Sequence, residues 1–215
     1  SASELSDSLF RAYDIRGIFD DTLTLEAARL IGRAIGSEVR RQGGDTLALA
    51  RDGRLSGPAL LDALAEGVQA CGCAVVDLGM VPTPVLYFAT WHYPGVNSGV
   101  MVTGSHNPPD YNGFKMMMGK KSFFGADIQT LGEMSGRGDW ESGQGKVERR
   151  PILADYAARL LRDVKPGKKL KVAWDTGNGA VGVSIHAVVD KLEGEHFVSN
   201  PLHRRWRKDS PWPIL

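Results

Sequence analysis

The chain has 215 residues, 42% of them hydrophobic, enough for a buried core and for one or two domains of about 100–200 residues each. Its 26 basic and 25 acidic residues leave a net charge of +1, which gives no reason to expect a nucleic-acid or acidic-membrane partner. No apolar run reaches the roughly 18–20 residues of a membrane span, and the polar start SASELSDS does not read as a secretory signal. The two cysteines, Cys71 and Cys73, are separated by one residue, so a disulfide between them would be strained. Free thiols suit a reducing compartment, and the expected location is cytoplasmic.

In chain order, FRAYDIRGIF (10–19) reads as a short strand closing in a turn at Gly17. Residues 22–44 place Leu25, Ala28, Ile31, Ile35 and Val39 at helical spacing, with Thr24 as N-cap and Gly43-Gly44 as the stop. A strand at 45–53 precedes a helix at 56–72 that has Ser56 near its start and Pro58 in its first turn. A buried strand (74–81), a proline-led helix (82–93) and a strand (98–105) follow. This alternation predicts a layered α/β/α first domain with a mixed, mainly parallel sheet. In such sheets ligands gather beyond the carboxyl ends of strands, where Ser105 is expected to fall.

Beyond Lys115 a short strand and a helix from about Ala126 are expected, the methionines at 116–118 packing into the core beside the preceding loop. Residues 135–151, rich in glycine and charge, read as a linker. An amphipathic helix (152–164) and a strand, Gly-rich turn and helix (169–194) look like the first unit of a second α/β domain. The periodicity then stops, so the division expected is 1–150, then 151–194 as an incomplete second domain, then an atypical tail, 195–215, produced by truncation or a shifted reading frame. The histidines outside the 103–115 stretch show no metal-ligand spacing.

The stretch TGSHNPPDYNGFK (103–115) concentrates the chemistry. Ser105 follows a small Gly104 at the end of an apolar strand, which suits a hydroxyl presented at a sharp turn. His106 and Lys115 offer proton transfer and positive charge, Pro108 and Pro109 stiffen the loop, and Asn112-Gly113 is a turn signal. A serine hydroxyl needs activation to act as a nucleophile, and the set suits acyl or phosphoryl transfer. The second glycine of the G-x-S-x-G elbow is missing. Phosphoryl transfer depends chiefly on cations around the phosphate, and Arg16, Arg54 and Lys115 each lie beside a predicted turn. Plainer roles stand beside these: a polar loop satisfying its own backbone, Tyr13 buried at a strand edge, Arg16 paired with Asp14 or Asp52, and Arg54 holding a loop.

The same thirteen residues resemble the active-site loop of the α-D-phosphohexomutases, and of the bacterial phosphomannomutase/phosphoglucomutase subgroup in particular. FRAYDIRG (10–17), RDGRLSG (51–57), GMVPTPVLYFA (79–89) and DTGNGAVG (175–182) agree in order, so the resemblance spans roughly residues 8–192. It implies interconversion of hexose 1-phosphates and 6-phosphates of mannose, glucose or both, through a phosphoserine and a bisphosphorylated sugar. By resemblance Ser105 is the phosphoserine, with His106, Lys115 and Arg16 catalytic. Tyr13 and Asn107 stand on the substrate side, Asn107 by shaping the loop. Mg²⁺ is implied at a phosphate oxygen of Ser105, and glucose 1,6-bisphosphate as the phosphoryl source.

The sequence also departs from that family. No D-G-D-G-D-R metal loop occurs, and GEMSG (132–136), although like the family's sugar-recognition string, stands outside the place where that string belongs. The chain alone is therefore expected to be inactive as a mutase, and the alternative expectation is a non-catalytic phosphosugar-binding remnant.

Overall fold

The structure is a computed structural model that describes residues 5–199. Strand alternation organises it. In β2 (Thr46–Arg51), Leu47 and Leu49 point to one face and Ala48 and Ala50 to the other, and all four are fully buried. Large residues on one side meet α1 (Leu25–Arg41), α2 (Gly57–Gln69) and α4 (Ala126–Arg137). Small residues on the other side admit α3 (Thr83–His92) and the residues opening α5 (Leu153–Leu161). Two apolar cores, one on each face, make the layered α/β/α arrangement.

The sheet has seven strands in the order β1-β5-β4-β2-β3-β7, with β6 beside β5. Its remaining members are β1 (Ile15–Ile18), β3 (Ala74–Met80), β4 (Ser98–Val102), β5 (Tyr111–Met118), β6 (Lys121–Phe123) and β7 (Val147–Arg149). Pairing is parallel through β4, β2, β3 and β7 and antiparallel where β1 and β6 join β5 and where β5 joins β4. Thr24 caps α1 as expected, its hydroxyl accepting the Ala27 N–H at 3.0 Å.

Four local expectations are corrected. β1 runs through Gly17 to Ile18 instead of turning there, because β5 supplies a partner along its whole length. Asn112-Gly113 is mid-strand, not a turn. Gly113 faces Arg16, and a β-carbon there would collide with the Ile15 carbonyl, so the pairing requires glycine. The stretch read as a linker, 135–151, contains the end of α4 and also β7, a fully exposed strand that backbone pairing attaches to β3. The tail expected from 195 begins as β9 (Gly194–Ser199), which pairs in parallel with β8 (Leu170–Asp175) around the short helix α6 (Ile185–Val189). The rest of that tail, 200–215, lies outside the described residues. GEMSG falls inside α4, with Met134 and Ser135 buried.

Cys71 and Cys73 are free and buried. Burial pushes the Cys73 thiol up to about 12 and also raises Cys71, so the reactive thiolate is scarce in both. Ellman's reagent at pH 8 is expected to leave both thiols untouched in the folded chain and to titrate both after unfolding in guanidinium. Rapid reaction of the folded chain would contradict this packing.

Candidate active site

Two loops meet at the carboxyl ends of the adjacent parallel strands β2 and β4. The first carries Asp52 and Arg54, the second runs from Thr103 to Asp110, and the Asp52 N–H donates to Val102 O at 3.0 Å where they join. Asp52 is the hub. One carboxylate oxygen accepts the Thr103 hydroxyl at 2.7 Å and the Gly104 N–H at 3.3 Å, and the other accepts the Arg54 N–H at 2.9 Å. The Thr103 hydroxyl oxygen in turn accepts the Ser105 N–H at 2.9 Å.

Arg54, only 2% exposed, fills the space beneath the second loop. Its guanidinium donates to the carbonyls of Pro108 (2.5 Å) and Tyr111 (2.9 Å) through one terminal nitrogen, and to Ser105 (3.1 Å) and Asn107 (2.6 Å) through the other. Burial pushes its pKa down; Asp52 opposes that shift and the positive Arg16 reinforces it. Arginine keeps its proton in proteins, so the group remains a cation under the loop. The plainer role anticipated for Arg54, holding a loop, is the one its hydrogen bonds describe.

Ser105 sits at the apex, exposed, with φ +53°. For a non-glycine residue this left-handed conformation costs on the order of 1–3 kcal/mol and persists only where the surroundings fix it. Here Thr103 holds its N–H and Arg54 its carbonyl. The Ser105 Oγ lies 3.4 Å from His106 Nδ1, at the long end of hydrogen-bond range.

Arg16 is buried, paired with Asp14, and donates to Gly104 O at 2.7 Å, one residue before the serine. Of the two pairings open in the sequence, Asp14 is the one formed. Asn107 bonds the same carbonyl through its backbone N–H and its side-chain amide, each at 3.0 Å. Lys115, half-buried, faces Met101 across β5 and β4. Because side chains alternate along β5, Lys115 lies on the sheet face that Arg16 shares through its partner Gly113, opposite the face of Ile15 and Phe114. Arg16 and Lys115 are thus diagonal neighbours, roughly 7–8 Å apart at the backbone. Tyr13, 79% exposed, is no buried edge aromatic. The structure therefore gathers Ser105, His106, Asn107 and Arg16 around one loop, with Lys115 on the adjoining strand and Tyr13 before β1.

Sequence reasoning offered Asp52 only as a candidate partner of Arg16 and gave Thr103 no role. The signal available for Asp52 was the D-G turn in RDGRLSG, where an aspartate accepts the backbone N–H two residues on. Among the described residues no group of three or more His, Cys, Asp or Glu is placed to hold a metal ion. Near Ser105 the Asp14 and Asp52 carboxylates are already engaged, so the residues present do not by themselves form a Mg²⁺ site.

With this geometry in place, a family model described as phosphoglucomutase/phosphomannomutase, alpha/beta/alpha domain I, matches residues 7–131, which contain both loops and β5. This chain belongs to the phosphoglucomutase/phosphomannomutase family. A phosphomannomutase/phosphoglucomutase of Pseudomonas aeruginosa is 50% identical over 191 residues, 89% of this chain and 41% of that protein. A phosphoglucomutase of Neisseria meningitidis serogroup A is 44% identical over 182 residues, 84% of this chain and 39% of that protein. The crystal structure of a phosphoglucomutase/phosphomannomutase family protein from Burkholderia thailandensis superposes with a TM-score of 0.86 at 46% identity, covering 91% of this chain and 44% of that one. The chain thus spans about two fifths of the length of these curated relatives. Among the described residues no helix is long and apolar enough to cross a membrane.

Proposed function

We propose that this chain is the serine-bearing part of a phosphohexomutase that interconverts hexose 1-phosphates and 6-phosphates of mannose, glucose or both, with Ser105 as the phosphoryl carrier. One observation carries the reading: a single exposed hydroxyl held at a fixed backbone angle beyond a parallel strand, with the Arg16 and Arg54 cations under its loop. The names of the relatives support the sugar class.

In the forward step the bond from Ser105 Oγ to phosphorus breaks as a sugar hydroxyl oxygen bonds to phosphorus; the sugar hydroxyl proton passes to a base, and the departing Oγ takes up a proton. In the return step Ser105 Oγ bonds to the phosphorus at the other end of the bisphosphorylated sugar and gives up that proton, while the bond from phosphorus to the sugar oxygen breaks and that oxygen is protonated. His106, adjacent to Ser105 Oγ, is assigned the proton there, and Arg16 and Lys115 the offset of charge. A phosphoserine adds about −1.5 to −2 charges, so cations on one sheet face are the expected accompaniment. Asn107 shapes the loop, and Tyr13 is assigned to the sugar side. Mg²⁺ belongs to this reading as an ion on phosphoryl oxygens; since the described carboxylates do not cage it, no step is assigned to it. We also assign residues 1–150 to the serine-bearing unit, whose sheet closes with β7, and 151–194 to the start of a second unit, now extended by β9.

The test is phosphoryl acceptance rather than turnover. Incubation with glucose 1,6-bisphosphate in Mg²⁺ buffer is expected to raise the intact mass by one phosphoryl group, and Ser105→Ala is expected to gain none. A wild-type chain that binds the sugar without gaining mass would favour the non-catalytic binding remnant. Equal gain by the variant would remove Ser105 as carrier.

A further inference from the structure

Arg54 is a buried cation beneath the serine loop to which the phosphoryl transfer assigns no step. It is almost fully buried, so it cannot meet a sugar phosphate directly. Three of its four carbonyl partners nevertheless belong to the backbone of the reactive loop and the fourth, Tyr111, opens β5, all reached across 51 to 57 residues of sequence. We propose that Arg54 is a positioning residue for phosphoryl transfer, drawing those carbonyls inward and thereby locking Ser105 in the left-handed conformation that presents its hydroxyl outward. This rests on the carrier reading above.

Three features of the loop fit that task. Turning a peptide carbonyl inward turns the following N–H outward, but the residues after Asn107 and Pro108 are prolines and have no N–H to leave unmatched. Gly104 leaves room for the guanidinium: a β-carbon at 104 would overlap Arg54 Cζ and Nε. Asp52 orients Arg54 from behind and also reaches Ser105 through Thr103, so the same carboxylate fixes both flanks of the apex. A flat, forked cation can serve four carbonyls at once; a lysine ammonium has one nitrogen and three protons. Lysine is therefore a sharp probe, because it keeps the charge and loses the fork.

The experiment follows the rate of phosphoryl gain at Ser105 by intact mass across a range of glucose 1,6-bisphosphate concentrations, with circular dichroism and thermal melting as checks on folding. Arg54→Lys is expected to lower the maximal rate about 100-fold, the scale of effect of a small misplacement of a reacting group, with the half-saturating concentration unchanged within about twofold. Guanidinium ion added to Arg54→Ala is expected to restore part of the rate, and urea, of similar shape but uncharged, to restore none. If the alanine variant does not fold, the lysine variant decides alone. A wild-type maximal rate in folded Arg54→Lys would overturn the proposal. So would a raised half-saturating concentration at an unchanged maximal rate, which would make Arg54 a binding residue. No phosphoryl gain by the wild-type chain would instead defeat the carrier reading, and the proposal with it.

Discussion

Truncating Phe114 to alanine is expected to destabilise the chain by about 3–5 kcal/mol, the usual cost of removing a buried aromatic ring together with the cavity it leaves. Phe114 is fully buried on β5, facing Ile15 on β1 and Val102 on β4. Its ring belongs to the core beneath α1, α2 and α4, where close packing makes any lost volume costly. For a chain of this size each kcal/mol lowers the melting temperature by roughly 2–4 °C, so the loss should appear as a fall of about 6–20 °C. The substitution also tests the strand assignment. If Asn112-Gly113 formed a turn, Phe114 would stand at its edge and the loss would be under about 1 kcal/mol. Urea unfolding of wild type and variant, read at an equal m-value, separates the two.

Gly104→Ala is expected to act chiefly on the reaction, with about a 100-fold fall in the rate of phosphoryl gain beside a loss of about 1–3 kcal/mol of stability from buried polar groups left unmatched. The added methyl would occupy the site of the Arg54 guanidinium. That guanidinium must then shift and release some of its four carbonyls, each held by a charge-assisted bond. The three atoms nearest such a methyl all belong to Arg54, so the clash falls on the clamp itself. Gly136→Ala is the matched control, since a β-carbon there meets nothing and the residue lies within α4. It is expected to raise stability by up to about 1 kcal/mol and to leave the rate alone. A Gly104→Ala chain with wild-type kinetics would mean that the guanidinium can move without consequence for the serine.

Much of this fold is written locally. The α1 stripe and its Thr24 cap are visible because one face of a helix must be apolar and its first N–H groups need acceptors. The central strands are visible because residues buried on both faces leave continuous apolar runs, as in β4. Other elements are defined only by their partners. β7 is three exposed residues, VER, that backbone pairing with β3 makes a strand. Asn112-Gly113 carries a strong turn signal that tertiary contacts override: the Asn112 amide donates to Ser56 Oγ at 2.8 Å, and Gly113 lets β1 approach. β9 follows from β8 and not from its own pattern.

The site divides in the same way. Ser105, His106, Asn107 and Lys115 stand in one contiguous motif, and Arg16 in a second segment of matching order, so the sequence marks them as candidates through their resemblance to the family's loop. What sets the serine's backbone angle is not so marked. The Arg54 clamp joins two loops that sequence separates by half a hundred residues, and Asp52 reveals its role only when its four contacts converge. Periodicity carries no record of which carbonyls a distant guanidinium will collect.

The most direct test of the phosphoryl-carrier reading is to locate the phosphate. After exposure to glucose 1,6-bisphosphate, trypsin should release residues 55–115 as one peptide, since no lysine or arginine lies between Arg54 and Lys115. Fragmentation of that peptide is expected to place a single phosphoryl group on Ser105. A phosphate found on another residue, or a peptide left unmodified, would contradict the account.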